Sequence, residues 1–291
     1  MKYAFYPGCV AKGACPELKM STETLMNKLD IELIELKDAA CTGAGVISEH
    51  EQELADTLNA RTFAMAEKIG APLMNICSTC QGNMSRSNNR LKNDSSLLKR
   101  VNETLSEEGF NYSGNLSVKN LLWILVEDYG LDKLKEKVTN PLKGLKVAPF
   151  YGCYILRPTW DLGFKEYPAR GHYLEKLIEV CGGEAVDYSG KDKCCGFPIL
   201  TMNKKNSYAM TANHLQEAKS KDADCMVTPC PLCHLNLDAN QPDVAKTVGT
   251  KIDLPVLHLP QLIGLALGIS QYELGLDRNI IDTKNVLSAV S

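Results

Sequence analysis

Residues 225–233 read Cys-Met-Val-Thr-Pro-Cys-Pro-Leu-Cys, an apolar run that leads directly into a Cys-x-x-Cys pair. The run 225–228 is typical of a short buried strand, and the cysteine pair stands where the next helix would begin. The same arrangement occurs earlier, where the predicted strand 72–76 leads into the Cys-x-x-Cys of residues 77–80. A strand that ends at paired cysteines, present twice, predicts an α/β chain with thiol sites at strand ends.

These two pairs belong to an internal repeat. One offset of 153 residues relates three cysteine positions and one asparagine: Cys41 and Cys194, Cys77 and Cys230, Cys80 and Cys233, Asn83 and Asn236. The opening cysteines, Cys9 and Cys153, are only 144 residues apart, so the second copy has gained nine residues after its first cysteine. The segment 157–170 is the predicted insertion. Chance would not hold one offset at four positions, so the chain is a duplication.

Each copy alternates strands with helices, which predicts a parallel sheet covered on both faces. The fold class is therefore α/β, with two tandem pseudo-repeats, each a small parallel sheet flanked by helices. Loops at the carboxyl ends of parallel strands share one edge of a sheet, so the cysteines should converge there. The predicted strands are 2–6, 31–36 and 72–76, then 146–151, 184–188 and 225–228. The predicted domains are 1–139 and 140–291, joined by a charged linker at 131–144.

Bulk composition indicates a globular chain with no nucleic-acid partner. Hydrophobic residues make up 44% and charged residues 23%, and the formal net charge of −3 gives no reason to expect binding to nucleic acid or an anionic membrane. The first ten residues read as a strand and not as a signal peptide. The apolar stretch 256–269 is too short and interrupted for a membrane span. We therefore expect a cytoplasmic protein.

Twelve cysteines need an explanation, and metal binding explains them best. Disulfides are rare in a reducing cytosol, and scattered core thiols would not cluster before Gly and Pro turns. Cys-x-x-Cys at a helix start suits zinc, a redox dithiol or an iron–sulfur cluster. Structural zinc takes four ligands, whereas the second copy offers five thiols. Adjacent thiolates such as Cys194 and Cys195 rarely serve one ion, so a cluster with several iron corners fits better.

The order Cys, Cys-Cys-Gly, Cys-x-x-Cys, present twice in 291 residues, resembles the B subunit of heterodisulfide reductase. The resemblance implies a noncubane [4Fe-4S] cluster on five thiolates of the second copy and chemistry that splits or forms a disulfide. It also implies a C-type iron–sulfur partner and an A-type flavin partner. The implied noncubane ligands are Cys153, Cys194, Cys195, Cys230 and Cys233. Of these, Cys194 and Cys195 are the implied catalytic pair.

The first copy departs from this pattern because Thr42 stands where the second cysteine of the pair belongs. The four thiols Cys9, Cys41, Cys77 and Cys80 suffice for a cubane [4Fe-4S] cluster but not for five-thiolate ligation. The Cys-Thr-Gly variant is similar to heterodisulfide reductase-like proteins of sulfur oxidation. For those proteins the implied substrate is sulfur carried on a protein.

Residues outside the motif have open roles. Cys15 could be a fifth ligand of the first cluster, a reactive thiol near that cluster or an unligated loop thiol, and Lys12 could meet an anionic substrate or face solvent. His234, beside Cys233, is a candidate catalytic proton donor or a local cap. Cys181 and Cys225 read as core. The run 123–126 reads as helix core or as a partner-docking segment.

Two other functions remain open from the sequence. The same repeat resembles the cysteine-rich subunit of lactate, glycolate, succinate or glycerol-phosphate oxidoreductases, although this chain lacks a ferredoxin-type Cys-x-x-Cys-x-x-Cys run. A zinc-stabilised assembly protein with no redox role is the non-enzymatic alternative. The leading hypothesis is an oxidoreductase subunit that acts on a disulfide or other sulfur group and needs partner subunits, because no nicotinamide or flavin fingerprint is present.

Overall fold

The computed structural model describes residues 1–289 and places the repeats in two parallel sheets. Within these residues the first sheet contains β1 (Lys2–Tyr6), β2 (Glu32–Glu35), β3 (Leu73–Asn75) and β4 (Val118–Asn120). The second contains β5 (Lys146–Pro149), β6 (Glu184–Ala185), β7 (Cys225–Thr228) and β8 (Val256–His258). The strand order is β2-β1-β3-β4 in one sheet and β6-β5-β7-β8 in the other, so the topology is the same in both.

Helices cover both sheets. The first repeat contributes α1 (Gly8–Gly13), α2 (Pro16–Lys28), α3 (Ile47–His50), α4 (Gln52–Ile69), α5 (Ser78–Asn93), α6 (Ser95–Ser106), α7 (Leu121–Trp123) and α8 (Leu131–Lys137). The second contributes α9 (Tyr173–Val180), α10 (Lys204–Ser220), α11 (Pro231–His234), α12 (Gln241–Val248), α13 (Leu259–Ala266) and α14 (Lys284–Ala289). Segments Ile124–Gly130 and Leu235–Ala239 are π-helical, and three short 3₁₀ turns lie at Pro168–His172, Phe197–Ile199 and Leu276–Arg278 within residues 1–289.

The α/β fold class and its parallel sheets are confirmed. Strand register repeats as well, since Lys2 pairs with Glu32 in the first sheet and Lys146 with Glu184 in the second. Every residue of β7 is buried, as expected for a central parallel strand with helices on both faces. The sequence predicted three strands in each copy, whereas the structure adds β4 and β8 at one edge of each sheet.

Three local expectations differ in detail. The predicted linker 131–144 begins with the helix α8, so half of it is regular structure. The segment between β2 and β3, where the alternation of strands and helices predicts a helix, is divided at Glu51 into α3 and α4. The insertion 157–170 consists of turns that lead into a 3₁₀ segment.

Buried apolar side chains from both repeats pack into shared cores. Alternate residues of β1 point to opposite faces of its sheet. On one face Tyr3 and Phe5 join a core that includes Val147, and on the other Tyr6 joins a core that includes Phe150. The boundary at residue 139/140 stays a prediction, and the cores on both sides of the sheet cross it.

The run 123–126 belongs to these cores. Trp123 is 2% exposed and Leu125 is fully buried, which confirms the interpretation of this run as helix core. The guanidinium of Arg170 lies 3.7 Å from the centre of the Trp123 ring and pairs with the buried Glu127. In the described part of the chain, no helix combines the length and apolar character needed to cross a membrane.

We expect Gly82→Ala to weaken the contact between the repeats. A Cβ atom at Gly82 in α5 would lie 2.5 Å from the backbone oxygen of Tyr154, which cannot swing aside as a side chain could. Overpacking typically costs about 1–3 kcal/mol, and the preference for Ala over Gly in a helix offsets up to ~1 kcal/mol of that cost. Thermal unfolding followed by circular dichroism should show a lowered Tm.

Gly13→Ala is the matched control, because an added Cβ there meets no atom within 4 Å. Its Tm should equal or slightly exceed that of the unmodified chain. Equal stability of the two variants would contradict a close contact between α5 and the segment after β5.

Candidate iron–sulfur sites

The first cysteine set gathers beyond the carboxyl ends of β1, β2 and β3. The sulfur atoms of Cys9 and Cys41 lie 4.0 Å apart. The Cys77 thiol hydrogen-bonds with Cys80, and the hydroxyl of Thr42 lies 3.9 Å from the Cys80 sulfur. The structure therefore brings together the four thiols that the sequence grouped.

The second set forms one continuous series of thiol contacts. Cys153 hydrogen-bonds with Cys194, which also contacts its neighbour Cys195. Cys195 in turn contacts Cys233, and Cys233 contacts Cys230. All five predicted thiols thus surround one point beyond the ends of β5 and β7.

The two sets are neighbours. Cys77 of the first set and Cys230 of the second hydrogen-bond with each other. The Thr79 hydroxyl also lies 3.7 Å from the Cys230 sulfur, and the Ser78 hydroxyl donates to the Pro229 carbonyl at 3.4 Å. The Cys-x-x-Cys segments of the two repeats therefore meet, which gives electrons a short route between the sites.

The backbone explains why each Cys-x-x-Cys presents its first thiol in the same way. Cys77 has φ −136° and ψ 119°, and Cys230 has φ −134° and ψ 119°. Both are extended residues immediately before a helix, α5 or α11, and Pro231 fills the first position of the latter. The unpaired N–H groups of a helix start favour a thiolate over a thiol.

A glycine before each opening cysteine makes room for a thiol. Gly152 has φ +71°, and a Cβ atom there would lie 2.9 Å from the Cys233 sulfur. Its counterpart Gly8 has φ +80° and would place a Cβ 3.7 Å from the Cys80 sulfur. Both positions have the left-handed backbone that favours glycine, and at Gly152 a side chain would also come too close to the Cys233 sulfur. The Gly-Cys segments 8–9 and 152–153 are thus part of the two sites.

Buried amides hold the central turn of each set. The Nδ2 of Asn83 donates to the Thr42 carbonyl at 2.5 Å, and the Nδ2 of Asn236 donates to the Cys195 carbonyl at 2.8 Å. Asn59 adds a second donor to Thr42 at 3.0 Å. The sequence marked Asn83 and Asn236 as repeat positions but did not reveal this supporting role, which depends on the packing of α5 and of the helical segment after α11.

Proton sharing favours the thiolate form at two positions of the second set, Cys194 and Cys230, and contacts with Cys233 and Cys77 lower the pKa of Cys230. The hydrogen bond from Cys153 lowers the pKa of Cys194, and the neighbouring Cys195 and the N–H of Gly196 act in the same direction. The same bond raises the pKa of Cys153. Thiolate is the form in which cysteine binds a metal, so Cys194 and Cys230 are the thiols of this set whose surroundings favour the metal-binding form.

A cavity of about 450 Å³ opens over the second set. Its polar lining includes the thiols of Cys194 and Cys195 together with the hydroxyl of Thr79 from the first repeat. The other walls are mostly apolar: Val46, Tyr154, Phe197, Pro198, Ile199, Leu200, Met202 and Leu232. A smaller cavity of about 130 Å³ lies beside the first set, lined by Cys9, Cys41, Thr42, Cys77 and Cys80.

Cys15 does not lie among the first-set thiols. It is 1% exposed, and its sulfur lies 4.0 Å from the Pro231 carbonyl of the second repeat. The expected core positions of Cys181 and Cys225 are confirmed, since both are fully buried.

His234 and Lys12 also have partners other than the motif thiols. The buried His234 ring hydrogen-bonds through Nε2 with the Val256 carbonyl at 2.9 Å and stacks on His258. Lys12 lines a shallow depression beside Cys9, but its ammonium pairs with Glu35 at 3.2 Å. In the described residues, His234 is not part of the lining of the larger cavity.

The donor chemistry of both sets fits iron–sulfur clusters. Soft thiolates suit such clusters, and hydrogen bonds to their sulfur atoms tune them. The backbone N–H groups of Gly196 and Phe197 point at the sulfurs of Cys194 and Cys195, each at 3.4 Å. Two adjoining sets of thiols at the ends of parallel strands are the arrangement expected of an iron–sulfur electron-transfer protein.

Comparison with known proteins identifies the family. The model of the CCG family, described as a cysteine-rich domain, matches residues 3–85 and 147–238. Together these segments make up more than half of the chain and correspond to the two repeats. The chain therefore belongs to the two-repeat CCG family that includes the B subunit of heterodisulfide reductase.

Three relatives are similar over nearly the whole chain. The 8-methylmenaquinol:fumarate reductase membrane anchor subunit of Wolinella succinogenes is 38% identical and covers 97% of each chain. The B subunit of the ferredoxin/F(420)H(2)-dependent CoB-CoM heterodisulfide reductase of Methanosarcina acetivorans is 33% identical and covers 99% of this chain and 97% of its own. A protein of Archaeoglobus profundus that is named as similar to the heterodisulfide reductase B subunit is 30% identical over 92% and 91%.

The fold has a solved counterpart. A hypothetical protein from Helicobacter pylori superposes with a TM-score of 0.78 at 16% identity and covers 97% of this chain. The present chain spans about half of that structure, 52% of its length. At this identity the likeness concerns the fold. The match to the CCG family, together with the two reductase subunits named above, supports an iron–sulfur subunit of an oxidoreductase.

Proposed function

We propose that this chain is the iron–sulfur subunit of a heterodisulfide reductase-like complex and performs disulfide or sulfur redox chemistry on a thiol substrate. The observation that supports this most is the cavity of about 450 Å³ whose lining includes Cys194 and Cys195. A substrate that enters it meets the second cysteine set directly. The cavity at the first set, about 130 Å³, is smaller and has less room for a substrate. We therefore assign electron relay, and not substrate binding, to the first set.

The two sets would hold different clusters. Cys153, Cys194, Cys195, Cys230 and Cys233 would hold a noncubane [4Fe-4S] cluster. Cys9, Cys41, Cys77 and Cys80 would hold a cubane [4Fe-4S] cluster, because Thr42 supplies a hydroxyl in place of a fifth thiolate. When bound, the clusters would supply or accept electrons one at a time.

The residues around the cavity bind the substrate and exclude water. Reductive cleavage of a disulfide takes up two electrons and two protons and releases two thiols. Cys194 is half-buried and Cys195 is buried, so substrate would approach the site from the side of Cys194. The exposed Glu49 on the cavity wall is in contact with water, and the Thr79 hydroxyl, also in the lining, lies 3.7 Å from the Cys230 sulfur. His234 takes no part in this step.

Partner subunits complete the proposed function. Electrons would arrive from a C-type iron–sulfur subunit and an A-type flavin subunit, and the domains 1–139 and 140–291 would each carry one cluster. We place the complex in the cytoplasm, where a reducing environment keeps such thiols available. The isolated chain should therefore not oxidise NADH with a disulfide acceptor, and a substantial rate in a stopped-flow assay would contradict the need for partners.

A second candidate function is the oxidation or reduction of a quinone. The apolar cavity walls favour it, since they include Phe197, Ile199, Leu200 and Met202 and present no Lys or Arg in the described lining. The relative from Wolinella succinogenes belongs to an 8-methylmenaquinol:fumarate reductase. An aromatic, uncharged ring would bury its faces against such walls.

Turnover by the purified chain, loaded with its clusters, distinguishes the two candidates. Reduced methyl viologen is the donor, and either a mixed aliphatic disulfide or menadione is the acceptor. Disulfide-dependent oxidation supports the first proposal. Oxidation with menadione alone supports the second and overturns the first, and oxidation with neither overturns both.

A variant that fills the cavity tests its location. Ile199→Trp places a large ring among the wall residues without replacing a cysteine, and we expect a rate loss of roughly tenfold, or about 1.4 kcal/mol. Ile280→Trp is the control, because Ile280 is an exposed apolar residue that does not contribute to the described cavity lining. Equal rates in the two variants would contradict catalysis in this cavity.

A further inference from the structure

Four buried side chains with metal-binding atoms meet behind the second cysteine set. They are Cys15 and Glu17 from the start of α2, His234 at the end of α11 and His258 at the end of β8. Their ligand atoms all lie within 4.8 Å of one another. Their exposed fractions are between 0% and 6%. The group joins the first repeat, which supplies two members, to the second, which supplies the other two.

The hydrogen bonds around the group prepare His234 as a ligand. Its Nε2 donates to the Val256 carbonyl at 2.9 Å, so its Nδ1 carries the lone pair. Metal-binding histidines typically donate their other ring N–H to a carbonyl in this way. His258 lies with Nε2 3.0 Å from the Glu17 carboxylate. The two imidazole rings stack with their centres 3.7 Å apart.

The charge of this group also calls for a cation. Glu17 is 6% exposed, and among the described residues its carboxylate makes no ion pair with Lys or Arg. Its one ion-pair partner there is His258, which is fully buried. Buried charges in proteins are paired or coordinate metals. One Cys thiolate, one carboxylate, two neutral imidazoles and a divalent cation sum to zero charge.

We propose that Cys15, Glu17, His234 and His258 bind one zinc ion. Sulfur, nitrogen and oxygen donors in a set of four are typical of zinc, with bonds of about 2.0–2.3 Å. Four protein ligands and full burial leave no open position, so the site is structural and not catalytic. Closure around the ion requires the two imidazoles to turn out of their parallel stack, which is a side-chain movement.

The site has a defined mechanical role in this fold. It ties the start of α2 to β8 and to the helix that begins at the second Cys-x-x-Cys. Cys233, a ligand proposed for the second cluster, directly precedes His234. The zinc ion would therefore hold the two repeats together beside the cluster. This inference does not depend on which substrate the cavity accepts.

The direct test is zinc X-ray absorption on the full chain, purified anaerobically with its clusters. We expect about one zinc per chain with one sulfur and three nitrogen or oxygen neighbours. A shell of three or four sulfurs would place the zinc at the cysteine sets and overturn the proposal. Absence of zinc from protein that was produced in zinc-supplemented medium would overturn the proposal as well.

Variants provide an independent test. Glu17→Gln and His258→Gln should each lower zinc content to well below half and lower the Tm, while iron and sulfide content stay unchanged. Cys181→Ala is the matched control, because Cys181 is another fully buried cysteine and lies outside the group. Loss of iron in parallel with zinc, or zinc retained in both variants, would contradict the assignment. If a variant does not fold, the number of sulfur neighbours around zinc in the unmodified chain still tests the proposal.

Discussion

Cys195→Ser should abolish the spectroscopic signature of the second site and leave that of the first site intact. Cys195 is 4% exposed and contacts both Cys194 and Cys233, so it lies in the middle of the thiol series. A serine hydroxyl is a harder donor with a much higher pKa than a thiol, and it is a poor ligand for iron beside thiolates. Loss of this central ligand should therefore disrupt the whole five-thiolate cluster and not only the coordination of one iron atom.

The measurement is Mössbauer and EPR spectroscopy of the anaerobically purified protein, with iron and sulfide analysis. We expect the iron content to fall by roughly half, because the four thiols of the first set remain. Cys225→Ser is the matched control, since Cys225 is a fully buried thiol in β7 whose pKa is raised mainly by burial. An unchanged spectrum in Cys195→Ser would contradict ligation by five cysteines.

Much of this architecture is predictable from the cysteines. Because one offset relates the two sets, the repeat could be recognised, and alternating strands and helices then require a parallel sheet. In such a sheet the carboxyl ends of neighbouring strands meet at one edge, so the convergence of Cys9 and Cys41 follows from the topology. The position of the sites is thus a consequence of strand order, which periodicity can indicate.

The missed strands show where this reasoning fails. β4 and β8 are three residues each and, unlike the equally short β3 and β6, neither leads to a motif cysteine that would draw attention to it. Both end in a polar residue at the start of the next helix: the Asn120 side chain accepts from the Leu122 N–H, whereas the His258 N–H donates to the Gln261 side chain. Their strand character comes from pairing with β3 and β7, which is tertiary information.

The position of Cys15 could not be inferred from its distance in sequence to Cys9. A flexible loop of five residues between Cys9 and Cys15 would have allowed Cys15 to reach the first set. Instead, α1 occupies Gly8–Gly13 and α2 begins at Pro16, so the chain turns between two helices at Cys15. That turn carries the thiol to the Pro231 carbonyl of the other repeat. The docking of the repeats, and not local chain length, decides its neighbours.

The packing also shows which residue occupies the fifth position of the first set. Thr42 lies 3.9 Å from the Cys80 sulfur, just as Cys195 contacts Cys233 in the second set. The carbonyl of each residue accepts a hydrogen bond from the matching asparagine, Asn83 or Asn236. The backbone of the first site is thus prepared for five ligands, and one side chain makes the difference between the sites.

Thr42→Cys should therefore convert the first site toward the signature of the second. The new thiol would stand in a buried position, since Thr42 is 1% exposed, close to Cys80 and on a turn already held by Asn59 and Asn83. The change from Thr to Cys replaces a hydroxyl and a methyl with one sulfur, so it adds no bulk to the core. Mössbauer spectra should show two similar noncubane-type components in place of two dissimilar ones.

Two further variants make this expectation decisive. Thr42→Ser keeps a hydroxyl at the same position and should leave the first-site spectrum unchanged, which separates the effect of sulfur from that of substitution itself. Cys15→Ala should also leave that spectrum unchanged, because the Cys15 thiol faces Pro231 and not the first set. If Cys15→Ala abolished or converted the first-site cluster, Cys15 would be its fifth ligand and the four-thiolate assignment would be wrong.

If Thr42→Cys left the first site as it was, the threonine would not be the cause of the difference between the sites. In that case the greater exposure of Cys9 and Cys41, which contrasts with the burial of Cys195, Cys230 and Cys233, would have to explain it.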